Sequence, residues 1–205
     1  LLGNTNTFYY TFPTALPDYD KSAKHANGFK SFSAIQIVNA IGALKYITSV
    51  IDVNFQKSAV SDSLNTFSFA NNIQNGSAGY AGYPSETSNG SDLFFDIKSN
   101  TSEFSDETYS SSVLIHEIGH ALGLKHPFSH TDTEGDIGDP PYLNDSEDDT
   151  AWTMMSYDNH PEQYHSIFSP LDIAALQYVY GPSKSTRVGN DTYKISTSTS
   201  NFIWD

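Results

Sequence analysis

Three of the chain's seven histidines fall within one eleven-residue stretch, His116-Glu117-Ile118-Gly119-His120-Ala121-Leu122-Gly123-Leu124-Lys125-His126. His116 and His120 are four residues apart, so on a helix both imidazoles leave the same face. Glu117 stands beside them, within reach of the proton of a metal-bound water. Leu114, Ile118 and Ala121 point the other way and would give the helix a buried face. Gly123 can leave right-handed helical space, end the helix and turn the chain, which would bring His126 back to the same ion. Three neutral imidazoles with one open position are what catalytic zinc requires. A bare His-Glu-x-x-His also arises in ordinary surface helices. The added Gly123 and His126 make coincidence a poor account, and a closed structural site would have no use for Glu117.

The surrounding elements are readable as carriers for this stretch. Thr5 to Phe12 is rich in Thr and aromatics and stops at Pro13, which predicts a strand. Ser33-x-x-Gln36 resembles a capping box. It opens a long amphipathic helix predicted to run to about Gln56, with Ile37, Ala40, Ile41, Leu44, Ile47, Ile51 and Phe55 at helical spacing. Short strands are predicted at 66–70, 79–83 and 93–97, separated by Gly, Asn and Ser. The motif helix should cover about Ser111 to Leu122. Between Ser129 and Thr150 lie eight acidic residues and no Lys or Arg, which predicts a loop. Ser169-Pro170-Leu171-Asp172 reads as a helix start, and Gly181-Pro182 ends that helix. The composition then turns Ser/Thr-rich, which places a subdomain boundary near Ser183.

Bulk properties narrow the classes. With 205 residues there is room for one good-sized core, and 10 basic against 24 acidic residues give a net charge of -14. Such a surface repels phosphate backbones, so nucleic acid is not an expected partner. It suits oxygen-ligand binding of calcium. The absence of cysteine excludes disulfides and thiolate metal sites. No apolar run reaches the length of a membrane span. Leu1 does not begin a signal peptide, and both ends read as cut.

The histidine stretch resembles the metzincin metalloproteases, which also require a Met-containing turn downstream; Thr153-Met154-Met155-Ser156-Tyr157 supplies one. Pro127 after the third His, the Met-Ser-Tyr turn, Asp172-Ile-Ala-Ala-Leu-Gln177 and Tyr180-Gly181 make the chain similar to the serralysin family of secreted bacterial proteases. The similarity runs from the first Tyr/Phe strand to Trp204-Asp205. It implies an α+β, metzincin-like protease domain at 1–182, with a twisted mixed five-stranded sheet, long helices and a cleft. The truncated start of a calcium-binding β-roll would follow at 183–205. It implies a zinc endopeptidase of broad specificity, extracellular and monomeric, with polypeptide substrates and room for a proteinaceous inhibitor. Met155 would be the turn Met beneath the zinc, and Tyr157 an additional zinc ligand that swings to the transition state. Gly79, Tyr80, Ala81, Gly82 and Tyr83 match the edge strand along which a peptide lies antiparallel. Arg187 and Gly189 would offer carbonyls, and Asp191 and Asp205 side chains, to a partial Ca2+ site. His25, His130, His160 and His165 show no metal spacing with the motif and read as solvated or locally hydrogen-bonded. Two other readings stay open: a non-catalytic adhesion module of a larger protein, and a domain that processes only its parent chain.

Overall fold

In the computed structural model the described residues are 6–20, 22–59, 64–88, 90–129, 140–159, 163–195 and 204. In chain order the elements are β1 (Thr7–Thr11), α1 (Ala23–Ala26), β2 (Lys30–Ser31), α2 (Ala34–Val50) and β3 (Asn54–Lys57). They continue with β4 (Thr66–Asn72), β5 (Gly79–Ala81), β6 (Asp92–Asp96), α3 (Tyr109–Ala121) and α4 (Pro170–Tyr180). The sheet order is β3-β1-β4-β6-β5, with the two-residue β2 pairing β4 outside that path. β1 is parallel to β3 and β4, and β4 is parallel to β6, whereas β5 runs antiparallel to β6. This is the expected α+β architecture with a mixed sheet. Among the described residues after Pro182 no strand forms.

Each element follows from local chemistry. The capping box of α2 is made: Ser33 Oγ accepts from the Gln36 N–H at 3.3 Å, and Gln36 Oε1 accepts from the Ser33 N–H at 2.9 Å. The Gln36 amide also donates to Asn71 Oδ1 and to the Thr101 carbonyl, tying the helix start to the sheet. Ala40, Leu44, Ile47 and Val50 form the buried face.

The helix ends at Val50, six residues short of the predicted Gln56. Ile51 and Val53 are buried beyond the helix end, and Phe55 belongs to β3, with its ring 5.7 Å from Phe8 and 5.5 Å from Phe67. Apolar residues at 51 and 55 fit either period. Pairing of β3 with β1, and the Asp52 N–H given to the Gly181 carbonyl at 2.9 Å, decide for the strand.

One cluster of buried side chains joins Phe8, Phe67, Phe69 and Phe95 of the sheet to Leu44 and Ile47 of α2, Leu114 and Ile118 of α3, and Leu176 of α4. The segment after α4 is fastened to α2. Ser183 Oγ donates to the Thr48 carbonyl, Trp204 Nε1 to the Ser49 carbonyl, and the Trp204 ring meets Tyr46 edge-on at 5.7 Å. No helix among the described residues is long and apolar enough to cross a membrane.

Phe67 is fully buried and touches the rings of Phe8, Phe55 and Phe69. Phe67→Ala should therefore lower stability by about 3–5 kcal/mol. Urea unfolding followed by circular dichroism measures it, and a loss below 1 kcal/mol would contradict this packing.

Candidate active site

α3 starts at an N-cap, Thr108, whose Oγ1 accepts from the Ser111 N–H. About two to three turns later it presents His116, Glu117 and His120. The helix stops where Gly123 adopts a φ of +100°, and the Leu124 N–H folds back onto the Gly119 carbonyl at 2.9 Å. That turn returns His126 to the helix. The Nε2 atoms of His116, His120 and His126 lie 3.1 Å from one another along all three edges.

The ring orientations are set from outside. His116 Nδ1 is 2.7 Å from the Met154 carbonyl and His120 Nδ1 is 2.8 Å from the Leu124 carbonyl. A carbonyl only accepts, so both Nδ1 carry the proton and both Nε2 present lone pairs. Burial, with His126 beside it, pushes the His116 imidazole down to about 4, against the pull of the Met154 carbonyl. Burial and the two neighbouring rings hold His120 well below the usual range too. Neutral rings with converging lone pairs are the protonation state a metal needs. A tetrahedral ion with Zn–N bonds of about 2.0–2.1 Å has ligand edges of about 3.3 Å, so the triangle fits zinc. Among the described residues it is also the one group of His, Cys, Asp or Glu close enough to hold an ion.

The floor beneath the triangle comes from the turn at 153–156. A Cβ on Gly119 would lie 2.6 Å from Met155 Sδ, so the bare backbone of α3 rests directly on that sulfur. The side chain of Met155 packs there, while Met154 contributes its carbonyl to His116. Asp172, in the first turn of α4, holds the same turn. Its carboxylate accepts from Thr153 Oγ1 at 2.6 Å, the Met154 N–H at 2.7 Å and the Ser169 N–H at 3.0 Å. Read from the sequence, Asp172 was a helix-start residue. Its hold on the 153–154 turn, eighteen residues upstream, leaves no separate sequence signal. Phe128 was also missed: it is buried, with its ring stacked 4.9 Å from His126.

Tyr157 is half exposed, its ring 5.8 Å from His116, 4.7 Å from His126 and 5.1 Å from Phe128. Glu117 is buried against β5. A Cβ on Gly79 would come within 2.9 Å of Glu117 Cγ and 3.0 Å of its Oε1, so only glycine lets strand and carboxylate approach this closely. A cavity of about 310 Å3 opens here, lined by His116, Glu117, Gly79, Tyr109, Val113 and Tyr157 among others.

β5 is the last strand of the sheet, with Gly79, Tyr80 and Ala81 opposite Phe95, Phe94 and Leu93. Gly82 still donates to the Asp92 carbonyl, and Tyr83 sets its ring edge-on to His120 at 5.5 Å. Tyr80 anchors the strand through its side chain. Its ring lies 5.4 Å from Phe94 and 5.5 Å from His25, and Asn72 Nδ2 donates to its hydroxyl at 2.6 Å.

The tail residues join none of this. The Arg187 side chain lies over the Trp204 and Tyr193 rings and donates to the Trp204 carbonyl. Gly189 and Asp191 are exposed on a turn, and Asp205 lies outside the described residues. His25 pairs with Asp20 at 2.5 Å, while His130 and His160 lie outside the described residues.

Burial pushes the Asp172 carboxyl up to about 6 against its three donors. Its folded value thus exceeds the unfolded one, so its contribution is full below about pH 4 and is lost as pH rises through about 6. Relative to Asp172→Asn, the wild type should lose about 2 kcal/mol of stability between pH 4 and 7. Urea titrations of both proteins across that range measure the difference, and parallel curves would refute the assigned titration.

The chain matches the profile of metallo-peptidase family M12 over residues 11–169. It is 32% identical to a serralysin of Photorhabdus sp. (strain Az29) over 95% of this chain and 43% of that protein. To metallopeptidase AprA of Pseudomonas marginalis it is 32% identical over 93% of this chain and 43% of the relative. Serralysin G of Dickeya chrysanthemi is 30% identical over 94% of this chain and 43% of its own length. The chain therefore spans about two fifths of the length of these curated relatives, as their 43% coverage states. With its three convergent imidazoles and the methionine turn beneath them, the chain belongs to the metallo-peptidase family M12, and its similarity within the metzincins is to the serralysins.

Proposed function

We propose that this chain is a zinc endopeptidase domain that hydrolyses main-chain amides of polypeptide substrates. The observation that carries this reading is the triangle of Nε2 atoms at 3.1 Å, flanked by Glu117 and by the edge strand β5. When bound by His116, His120 and His126, zinc supplies Lewis-acid polarisation of a water and of the scissile carbonyl. Glu117 takes the proton of that water as the oxygen attacks the carbonyl carbon. It then returns the proton to the leaving amine as the C–N bond breaks. The Tyr157 hydroxyl donates to the oxyanion formed by the attack. Met155 packs beneath the ligand helix and does no chemistry.

Substrate main chain pairs with the outer edge of β5 from Gly79 to Ala81, continued by Gly82 and Tyr83. Antiparallel addition is the better-bonded orientation. Main-chain pairing reads little side-chain identity, which supports broad specificity. Secretion from a bacterium, a monomeric state and control by a proteinaceous inhibitor belong to the same reading. So does division into a protease domain at 1–182 and the start of a calcium-binding roll at 183–205. There Arg187, Gly189, Asp191 and Asp205 would contribute to one incomplete calcium site.

Glu117→Ala should bind one zinc per chain and cleave denatured casein at least about 100-fold more slowly. Atomic absorption and a casein assay on one sample test this, and undiminished cleavage would remove Glu117 from its role. Tyr157→Phe should lower kcat by about 100-fold with KM little changed. A change confined to KM would make Tyr157 a binding residue only. An adhesion module would leave casein intact with or without chelator, and a self-processing domain would cut its parent sequence alone.

A further inference from the structure

Phe128 has no part in the chemistry proposed above, yet it is buried to 3% exposure beside the ligand triangle. Among the described residues it stands outside the buried cluster that joins sheet to helices, so filling that core is not its role. Its ring lies nearly parallel to the His126 imidazole, at an interplanar angle of 14° and a centroid distance of 4.9 Å. The Tyr157 ring completes a group of three, 5.1 Å from Phe128 and 4.7 Å from His126. Phe128 is the buried corner of that group, whereas Tyr157 is 49% exposed.

The location of His126 makes this contact matter. His116 and His120 stand on α3, and backbone carbonyls fix their far nitrogens. His126 lies beyond the helix, on residues 124–128, which form neither helix nor strand. The main chain there is tied at two points. Lys125 Nζ donates to the His126 carbonyl at 3.1 Å, and the Leu143 N–H donates to the Pro127 carbonyl at 2.9 Å. Those bonds hold the backbone but leave rotation of the imidazole about its Cβ–Cγ bond to whatever the ring touches. A parallel, buried ring opposes that rotation, because turning the imidazole breaks the stack. The same ring gives the half-exposed Tyr157 a fixed wall to lean on.

Resting on the endopeptidase reading above, we propose that Phe128 is a positioning residue that acts through two others. Its ring keeps the His126 Nε2 turned into the triangle, and it seats the Tyr157 ring beside the ligands. Both effects need the flat face of an aromatic ring, which apolar bulk alone does not supply.

Two substitutions separate face from bulk: Phe128→Leu removes the flat face and stays apolar, and Phe128→Tyr keeps the face. Zinc release to a chromogenic chelator should be about ten-fold faster in Phe128→Leu than in the wild type, and within about two-fold of it in Phe128→Tyr. At saturating zinc, Phe128→Leu should lower kcat on a fixed peptide by about ten-fold, with KM within about two-fold. In a Tyr157→Phe background the same change should cost kcat less than about three-fold, because the hydroxyl it positions is gone. Zinc release should still quicken about ten-fold there. The urea midpoint of metal-free Phe128→Leu should stay near that of the wild type, since the ring lies outside the core cluster. A metal-free variant that fails to fold, or unfolds at markedly lower urea, would make Phe128 a core residue and overturn the inference. Unchanged zinc release would also overturn it, as would equal losses in Phe128→Leu and Phe128→Tyr, which assign the effect to volume. If the wild type cleaves nothing while Phe128→Leu still quickens zinc release, the endopeptidase reading fails and the placing of His126 stands.

Discussion

Three imidazole nitrogens that point their lone pairs at one another across 3.1 Å repel, and everything else in this fold serves to hold them there. A helix can supply two of them at a spacing of four residues, but the third must come back from beyond the helix end. Gly123 makes that return with a backbone conformation other residues rarely adopt. Carbonyls at Met154 and Leu124 then fix the proton on the far nitrogen of two rings. Burial keeps those rings neutral, and the cost of their convergence is offset when a cation is bound.

That arrangement reaches well beyond α3. The Met154 carbonyl can orient His116 only because the turn carrying it is clamped by Asp172, and Asp172 is placed by the cap of α4. α4 in turn closes against the end of α2, where Gly181 receives the Asp52 N–H. A chain of backbone-directed bonds thus connects the ligand triangle to the C-terminal helix. The substitution of a carboxylate for simple apolar packing has a consequence: burial raises the Asp172 pKa, so the same clamp titrates.

Small residues decide how closely the parts approach. Gly119 lets the ligand helix rest on Met155, and Gly79 lets β5 come against Glu117. A methyl group at either place would overlap atoms at 2.6 or 2.9 Å, forcing helix from turn or strand from carboxylate. The turn between Gln74 and Ala78, which borders the cavity at Glu117, is braced by side-chain amides and by Asp96.

From residue order alone came the three convergent histidines, the adjacent carboxylate and strands expected at 66–70, 79–83 and 93–97, which the structure places at Thr66–Asn72, Gly79–Ala81 and Asp92–Asp96, because each is written in contiguous spacing; the methionine turn came through the family resemblance. Helix caps at Ser33 and Ser169 were legible for the same reason. What only the tertiary structure decided involves partners far apart in the chain. Pairing with β1 made Ile51 to Gln56 leave the helix although the apolar period continued through Phe55. The grip of Asp172 on Thr153 and Met154, the stacking of Phe128 on His126 and the seat of Lys24 over Tyr80 are contacts across folded distance. A one-dimensional pattern records which face a residue takes, whereas the element it meets on that face is set by how sheet and helices pack.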